Sequence, residues 1–372
     1  MLPDVERVWD YENGLHPVFQ MNLPEGSLRA KLDAHFAKAV AGYDEMKLLG
    51  ILGSSQIGRL RFSQFDQSLP PVEDVPFQSI REILSFQGSE DLFRALVEKF
   101  GRYSGISGMQ PKVLIRGEEP ERIGDRYTHR GATHIVKAWE SDFPFLAANE
   151  LCCLSAARRA GLAVPCTEMS EDGHFLVVTR FDLTPGGVYL GFEDMCSLCG
   201  LPPAAKYERS YEDVAEKFSV YLSGDSLAAG MDAYFRMVVL SIALRNGDAH
   251  LKNFGVVFDT LDDIRIAPAF DVITTTVYEP RDTMALSLNG TKAWPGRETV
   301  RQFGVESCGL VSEAADHIID EVAAAVRDTI PELEEYAGTP ALSEKGARLL
   351  QTAWETGIAG LSNEFDEPEL TA

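Results

Sequence analysis

The chain contains the stretch Arg245-Asn246-Gly247-Asp248-Ala249-His250-Leu251-Lys252-Asn253-Phe254-Gly255, and Ala269-Phe270-Asp271 follows shortly after it. Asp248 and Asn253 stand five positions apart, which is the D-x-x-x-x-N spacing of a kinase catalytic loop. In such a loop the Asp orients and deprotonates the attacking hydroxyl, and the Asn binds a magnesium ion. An ordinary polar turn is the alternative, because Asn-Gly-Asp is a common turn sequence. Asn253 and Asp271 together favour the catalytic interpretation.

The residues between Asn253 and Asp271 predict a short β-hairpin. Two apolar runs, Gly255–Phe258 and Ile264–Ile266, flank an acidic turn. A hairpin would bring Asp271 back to the neighbourhood of Asn253. Asp271 is therefore the candidate for the second magnesium ligand, the carboxylate that a phosphoryl-transfer site needs.

Composition and charge narrow the class of protein. A chain of 372 residues with 45% hydrophobic residues predicts a folded protein of two or three subdomains. No run of about 18 apolar residues and no signal-peptide pattern appear, so we expect a cytoplasmic protein without a membrane span. The formal charge of −23 would repel nucleic acid, so any association with DNA should come through a basic partner.

The six cysteines do not suggest a disulfide framework. Cys196-Ser-Leu-Cys199 is a CxxC pair, which raises the possibility of a zinc or redox site. A structural zinc site usually has a second pair of ligands, and the sequence contains no such pair. Buried small thiols are the favoured interpretation.

A loop of small residues, Tyr103 to Lys112, leads into an apolar strand at Val113–Ile115. Small residues let backbone amides approach phosphates closely, so this segment is a candidate phosphate-covering loop. The alternative is a plain hairpin loop, because neither GxxxxGK nor GxGxxG is present. Two serines in the segment, Ser104 and Ser107, are candidates for phosphorylation.

Lys137 lies on an apolar strand, Thr133 to Trp139, and a buried lysine needs an anionic partner. Glu150 lies on the apolar face of the helix predicted to follow, with Ala147, Leu151 and Leu154. A Lys137–Glu150 pair would satisfy both charges and matches the lysine–glutamate pair with which kinases hold nucleotide phosphates. The alternative is that Lys137 snorkels and Glu150 contacts solvent.

Several of these motifs, in this order, resemble the HipA family of serine/threonine kinase toxins between about residues 100 and 275. The motifs are Ser107-Gly108-Met109-Gln110-Pro111-Lys112, His134-Ile135-Val136-Lys137, Asn149-Glu150, Glu193-Asp194-Met195-Cys196 with Gly200-Leu201-Pro202, Lys206-Tyr207-Glu208, Gly247 to Phe254, and Phe270-Asp271. The resemblance implies a two-lobed, α+β protein-kinase-like fold that uses ATP and Mg²⁺. It also implies phosphorylation of a protein serine or threonine, autophosphorylation in the small-residue loop, and a toxin–antitoxin operon with a HipB-like helix-turn-helix antitoxin that binds DNA.

The resemblance assigns roles residue by residue. Asp248 would be catalytic, and Asn253 and Asp271 would hold magnesium. The residues implied at the nucleotide are Lys137 with Glu150 at the phosphates, Thr179 and Phe181 at the adenine hinge, and Ser107, Gly108 and Met109 in the loop. His250 would brace the catalytic loop at this site and is not expected to be a general base. Ser107 is the first candidate for autophosphorylation and Ser104 the second.

The sequence departs from the family at two places. Gly105 stands where members often carry a serine. Phe19 to Gly26 resembles a helix start that lies well inside the N-terminal subdomain of longer members, so the chain resembles a shortened, HipT-like form. We therefore expect residues 1–62 to dock a small HipS-like protein, residues 63–185 to form the N-lobe, residues 186–362 the helical C-lobe, and residues 363–372 an acidic tail.

Two other functions remain open from the sequence. A small-molecule phosphotransferase of the aminoglycoside or choline kinase type shares the catalytic spacing, although it has no loop serine. A pseudokinase scaffold is the non-enzymatic alternative, which the intact Lys137, Asp248, Asn253 and Asp271 disfavour. The resemblance suggests an aminoacyl-tRNA synthetase as the phosphorylated protein, and no residue of the chain selects one.

Overall fold

The computed structural model describes residues 14–69, 76–87, 89–108, 110–117, 131–138 and 142–362. The chain forms two compact units. Unit 1 contains the residues up to Ala147, with Pro165–Ala205 and Gly255–Asp263; unit 2 contains Ala148–Val164, Lys206–Phe254 and the residues from Ile264 onward. The chain therefore passes between the units several times, whereas the sequence predicted consecutive lobes with a boundary near residue 185.

Unit 1 is built on a five-stranded sheet in the order β1-β2-β3-β5-β4. The strands are β1 Phe77–Gln78, β2 Lys112–Gly117, β3 His134–Ala138, β4 Thr167–Met169 and β5 Phe175–Thr179. β1 pairs with β2 in parallel, and the other pairs are antiparallel. The strands predicted around Val113 and Lys137 both form, and a further strand forms at Phe175, because their Val, Ile, Leu and Phe side chains suit a buried sheet.

Several helices accompany this sheet in unit 1. They are α1 Pro17–Gln20, α2 Gly26–Ala39, α3 Glu45–Leu52, α4 Ile80–Leu84, α5 Ser89–Phe100 and, after a further strand, α7 Met195–Leu198. α2 and α3 are separate helices, and Asp44 caps α3 by accepting a hydrogen bond from Lys47 N. Phe100, Leu96 and Ile83 pack with β-strand residues in one fully buried apolar core.

The segment Ile57–Phe62 has apolar residues that could suit a short strand, but it forms no named strand. Its backbone groups find other partners. Ile57 N donates to Gly105 O at 3.3 Å, and Gly58 N donates to Asp182 Oδ2 at 2.6 Å. Asp182 in turn forms a buried ion pair with Arg180, with 2.5 Å between Nη2 and Oδ2. A buried side chain thus replaces the strand neighbour that the alternating pattern suggested.

A second strand pair completes unit 1. β6 Gly191–Asp194 pairs antiparallel with β7 Gly255–Phe258, and β8 Ile264–Ile266, which belongs to unit 2, follows β7 in the chain. Both strands of the hairpin predicted between Asn253 and Asp271 are therefore present, with a turn between them. β7 begins directly after the catalytic-loop sequence, so the chain leaves Asn253 in an extended conformation.

Unit 2 is largely helical. Its helices are α6 Leu146–Arg159 from Ala148 onward, α8 Tyr211–Tyr221, α9 Gly224–Ala243, α10 Arg297–Glu306, α11 Ser312–Tyr336 and α12 Glu344–Gly360. α9 is the one helix in the described ranges with the length and apolar composition to cross a membrane. However, 61% of its apolar window is buried inside the protein, and core helices share this composition. α9 leads directly into the catalytic-loop sequence.

Candidate active site

The catalytic loop begins where α9 ends, and its backbone is held from the opposite side by Thr275. Arg245 has a φ of 55°, which reverses the chain after the helix. Arg245 O accepts a hydrogen bond from Thr275 N at 3.1 Å, and Gly247 N donates to Thr275 Oγ1 at 2.7 Å. A Cβ at Gly247 would lie 2.1 Å from Asp282 Oδ2, so only glycine fits there.

Asp248 presents a half-buried carboxylate, with 44% of its side chain exposed. Its Oδ1 accepts a hydrogen bond of 2.6 Å from the Tyr207 hydroxyl, and its N–H donates to Asn246 Oδ1 at 3.0 Å. Burial raises the pKa of Asp248, the nearby carboxylates Asp271 and Asp282 add to this, and Tyr207 and Lys206 act in the opposite direction. Oδ2 has no hydrogen-bond partner in the described part of the chain.

His250 is buried beside this carboxylate. Burial, followed by the positive charge of Lys206, lowers the pKa of His250 to about 3, so the imidazole is neutral at neutral pH. Its Nε2 lies 3.9 Å from Asp248 Oδ1, and its ring meets the Tyr207 ring edge-on at 5.1 Å between centroids. These contacts support the predicted bracing role of His250.

Asn253 and Asp271, predicted from the sequence as metal ligands, lie together in unit 2. Asn253 Nδ2 donates to the Asp271 backbone carbonyl at 3.3 Å, which leaves the amide oxygen of Asn253 to face a ligand. Asp271 has a φ of 53°, a left-handed conformation that Asp tolerates better than most residues. Both residues line a small cavity together with Asn246. Carboxylate and amide oxygens are suitable Mg²⁺ ligands, so this pair fits the ion.

A buried network fixes the segment that follows Asp271. Asn149 on α6 accepts a hydrogen bond from Thr274 N and donates to Thr274 O, both at 2.9 Å. Thr274 Oγ1 accepts a hydrogen bond of 2.7 Å from the indole of Trp354 on α12. The sequence identified Asn149 only as part of a motif, because a long-range contact with Thr274 leaves no local signal.

The two candidate serines of the small-residue loop in unit 1 differ in how accessible their hydroxyls are. Ser104 is fully buried, and its hydroxyl donates to Phe100 O at 2.9 Å and accepts from Leu114 N at 2.8 Å. Ser107 is half-buried, and its hydroxyl donates to the carboxylate of Glu25. Ser107 is therefore the more accessible hydroxyl. Met109, predicted to lie in the loop, is outside the described residues.

Gly105 has a steric reason for lacking the serine that family members often carry. Gly105 N donates to Ser55 O at 2.9 Å, and a Cβ at this position would lie 2.6 Å from that same oxygen. A side chain at residue 105 would require the backbone near Ser55 to move. The departure from the family pattern is thus linked to the close approach of two backbone segments.

Lys112 is a candidate phosphate-binding residue that the sequence interpretation overlooked. It is buried and lies directly opposite Lys137 in the β2–β3 register. A Cβ on Gly108 would be 2.5 Å from Lys112 Nζ, so the glycine leaves room for the ammonium group beside the loop. Lys137 also lies beneath the surface, at 4% exposure.

The remaining residues predicted at the nucleotide are Glu150 and the two hinge residues, Thr179 and Phe181. Glu150 is buried on α6 of unit 2, and its pairing with Lys137 of unit 1 stays a prediction. Thr179 N donates to Cys166 O at 2.8 Å within the sheet, which weighs against this N–H as an adenine donor. The Phe181 ring packs edge-on against Phe192, at 5.5 Å between centroids.

The fold is protein-kinase-like. An α+β unit is joined in sequence to a helical unit, and the helical unit contains Asp248, Asn253 and Asp271. The HipA-like C-terminal domain model matches residues 104–330, and the HipA N-terminal domain model matches residues 1–63. The chain therefore belongs to the HipA family. The family and the fold expected from the sequence are both confirmed.

Two relatives and one solved structure illustrate this similarity. Putative kinase Y4mE of Sinorhizobium fredii (strain NBRC 101917 / NGR234) is 30% identical over 340 residues, 83% of this chain and 77% of the relative. Putative kinase Y4dM of the same strain is 28% identical, covering 76% and 68%. The HipA structure from the Shewanella oneidensis MR-1 toxin–antitoxin complex with HipB and operator DNA has a TM-score of 0.65 at 19% identity, covering 92% and 84%.

Proposed function

We propose that this chain is an ATP-dependent serine/threonine protein kinase that acts as the toxin of a toxin–antitoxin system. Membership of the HipA family supports the proposal, as does the name of the relatives Y4mE and Y4dM. The single observation that carries it is the arrangement in unit 2, where a half-exposed Asp248 carboxylate has an oxygen open to an acceptor and Asn253 lies beside Asp271.

In this proposal the chain binds ATP. Lys112 and Lys137 contact the phosphates, and Asp248 accepts the proton of the acceptor hydroxyl as it attacks the γ-phosphorus. Asn253 and Asp271 hold Mg²⁺, which when bound neutralises charge on the β- and γ-phosphate oxygens. His250 keeps the catalytic loop in place without exchanging a proton, since its pKa is far below neutral pH.

Regulation and partners form part of the same proposal. Ser107 is the autophosphorylation site, because its hydroxyl is more accessible than the buried hydroxyl of Ser104. A HipB-like helix-turn-helix antitoxin connects this acidic chain to DNA, as the solved complex from Shewanella oneidensis suggests. We also propose a cytoplasmic location, an aminoacyl-tRNA synthetase as the substrate, and a small HipS-like protein that docks on residues 1–62.

The test compares acceptors. The purified chain and Asp248→Asn are incubated with γ-labelled ATP, Mg²⁺ and either a host protein extract, choline or an aminoglycoside. We expect the wild-type chain to label proteins on serine or threonine and Asp248→Asn to label them about 10²–10⁴-fold more slowly. Phosphoproteomics after brief expression then names the substrate. Labelling of the small molecules alone would overturn the protein-kinase proposal in favour of a small-molecule phosphotransferase, and absence of ATP binding would favour a pseudokinase.

A further inference from the structure

Tyr207 is an exposed tyrosine whose hydroxyl forms a hydrogen bond with the carboxylate of Asp248. It lies between the 3₁₀ turn Pro203–Ala205 and α8, and 40% of its surface is exposed. Its hydroxyl donates to Asp248 Oδ1 at 2.6 Å, a distance typical of a hydrogen bond to a charged oxygen. A large aromatic side chain that is this exposed contributes little to a core, so its hydroxyl contact needs another explanation.

The segment around Tyr207 holds the catalytic loop at successive residues. Lys206 O accepts a hydrogen bond from Leu251 N at 3.1 Å, and the Tyr211 hydroxyl donates to Ala249 O at 3.1 Å. These two contacts fix the loop backbone. Tyr207 differs from them because it bonds the side chain of Asp248, which the backbone contacts leave free to rotate.

The backbone of Tyr207 is itself held in place. Lys292 Nζ donates to Tyr207 O at 3.1 Å, and the Tyr207 ring packs edge-on against the buried His250 ring. The Lys206 ammonium lies 5.3 Å from the centre of the Tyr207 ring. The hydroxyl of Tyr207 is therefore presented to Asp248 by a supported ring and not by a freely moving surface side chain.

We infer that Tyr207 is a positioning residue for Asp248, which holds Oδ1 and leaves Oδ2 to the acceptor hydroxyl. This inference rests on the proposed kinase function. It adds which of the two carboxylate oxygens of Asp248 accepts the proton of the acceptor hydroxyl. In the transfer step the acceptor oxygen forms a bond to the γ-phosphorus and its proton passes to Asp248 Oδ2. The bond from the γ-phosphorus to the bridging oxygen breaks, and ADP leaves with that electron pair.

The hydrogen bond should also influence when Asp248 is ionised. It stabilises the charged carboxylate against burial and against the charges of Asp271 and Asp282, and Lys206 acts in the same sense as Tyr207. Removing the hydroxyl therefore raises the pKa of Asp248. A tyrosine with a purely structural role would leave this ionisation unchanged.

The kinetic test compares Tyr207→Phe with Tyr336→Phe, which removes a half-buried phenol on α11 of the same unit. Misplacement of a reacting group costs up to about 10²-fold, so we expect Tyr207→Phe to lower kcat by about 10–100-fold with KM for ATP within about twofold of wild type. The acidic limb of the kcat profile should move to higher pH. Tyr336→Phe should match wild type. An unchanged kcat and profile in Tyr207→Phe would overturn the inference while leaving the kinase function standing.

A second measurement does not depend on activity. Thermal unfolding of wild type, Tyr207→Phe, Asp248→Ala and the double variant measures the coupling between the two side chains. We expect Tyr207→Phe to lower the Tm of wild type and to have a smaller effect in the Asp248→Ala background. Additive changes in Tm would show that the hydrogen bond is absent and would overturn the inference. An inactive wild type with non-additive changes would refute the kinase function and retain the contact.

Discussion

Replacing Asp271 by asparagine should separate the charge of this residue from its backbone conformation. Asp271 has a φ of 53°, and asparagine tolerates this left-handed region about as well as aspartate does. Asparagine also has nearly the same size as aspartate, so we expect the free energy of unfolding to change by less than about 1 kcal/mol. The variant keeps an amide oxygen and loses the negative charge that would hold Mg²⁺ in the proposed function.

The loss of that charge should appear only when magnesium is present. We expect the Kd for Mg·ATP to rise by about 10–100-fold, equivalent to about 1.4–2.8 kcal/mol, as measured by titration calorimetry. Without Mg²⁺ the Asp271 carboxylate only repels the phosphates, so Asp271→Asn should bind metal-free ATP no more weakly than wild type.

Asp271→Ala serves as the matched control for the backbone. Alanine carries the left-handed strain of about 1–2 kcal/mol in addition to the loss of the ligand, so its Tm should fall while that of Asp271→Asn does not. Unchanged Mg·ATP affinity in Asp271→Asn, with an unchanged Tm, would refute the assignment of Asp271 as a magnesium ligand.

Further substitutions test the other parts of the site. Asp248→Asn should lower phosphoryl transfer by about 10²–10⁴-fold, and calorimetry should show nearly unchanged ATP affinity, because Asp248 acts on the acceptor. Ser107→Ala should keep kinase activity and lose the phosphopeptide in mass mapping. Ser107→Asp should weaken ATP binding, because its charge lies near Glu25 and the phosphates. Phosphate found only on Ser104 would contradict the assignment of Ser107. Asn149→Ala should cost roughly 3 kcal/mol in urea unfolding, since it leaves both backbone groups of Thr274 without their partner; a loss under about 0.5 kcal/mol, the usual surface value, would contradict it.

The sequence pattern predicted those strands whose formation depends on neighbouring residues in the chain. The apolar runs around Val113, Lys137 and Phe175 became β2, β3 and β5, because alternating or continuous hydrophobic residues suit one buried conformation over a short distance. The pattern of Ile57–Phe62 also resembles a strand, but this segment forms none. There the backbone bonds Gly105 and Asp182, which lie far away in the sequence and leave no trace in the local pattern.

The family could be predicted from the sequence, and the spacing of Asp248, Asn253 and Asp271 made these residues the candidates for the site. Their neighbours became visible only in the folded chain. Tyr207 reaches Asp248 across 41 positions, and Asn149 reaches Thr274 across 125. Lys112 opposes Lys137 only through the strand register. These contacts form because distant segments pack against one another. A hydrogen bond between residues far apart in the sequence leaves no mark in the local sequence pattern.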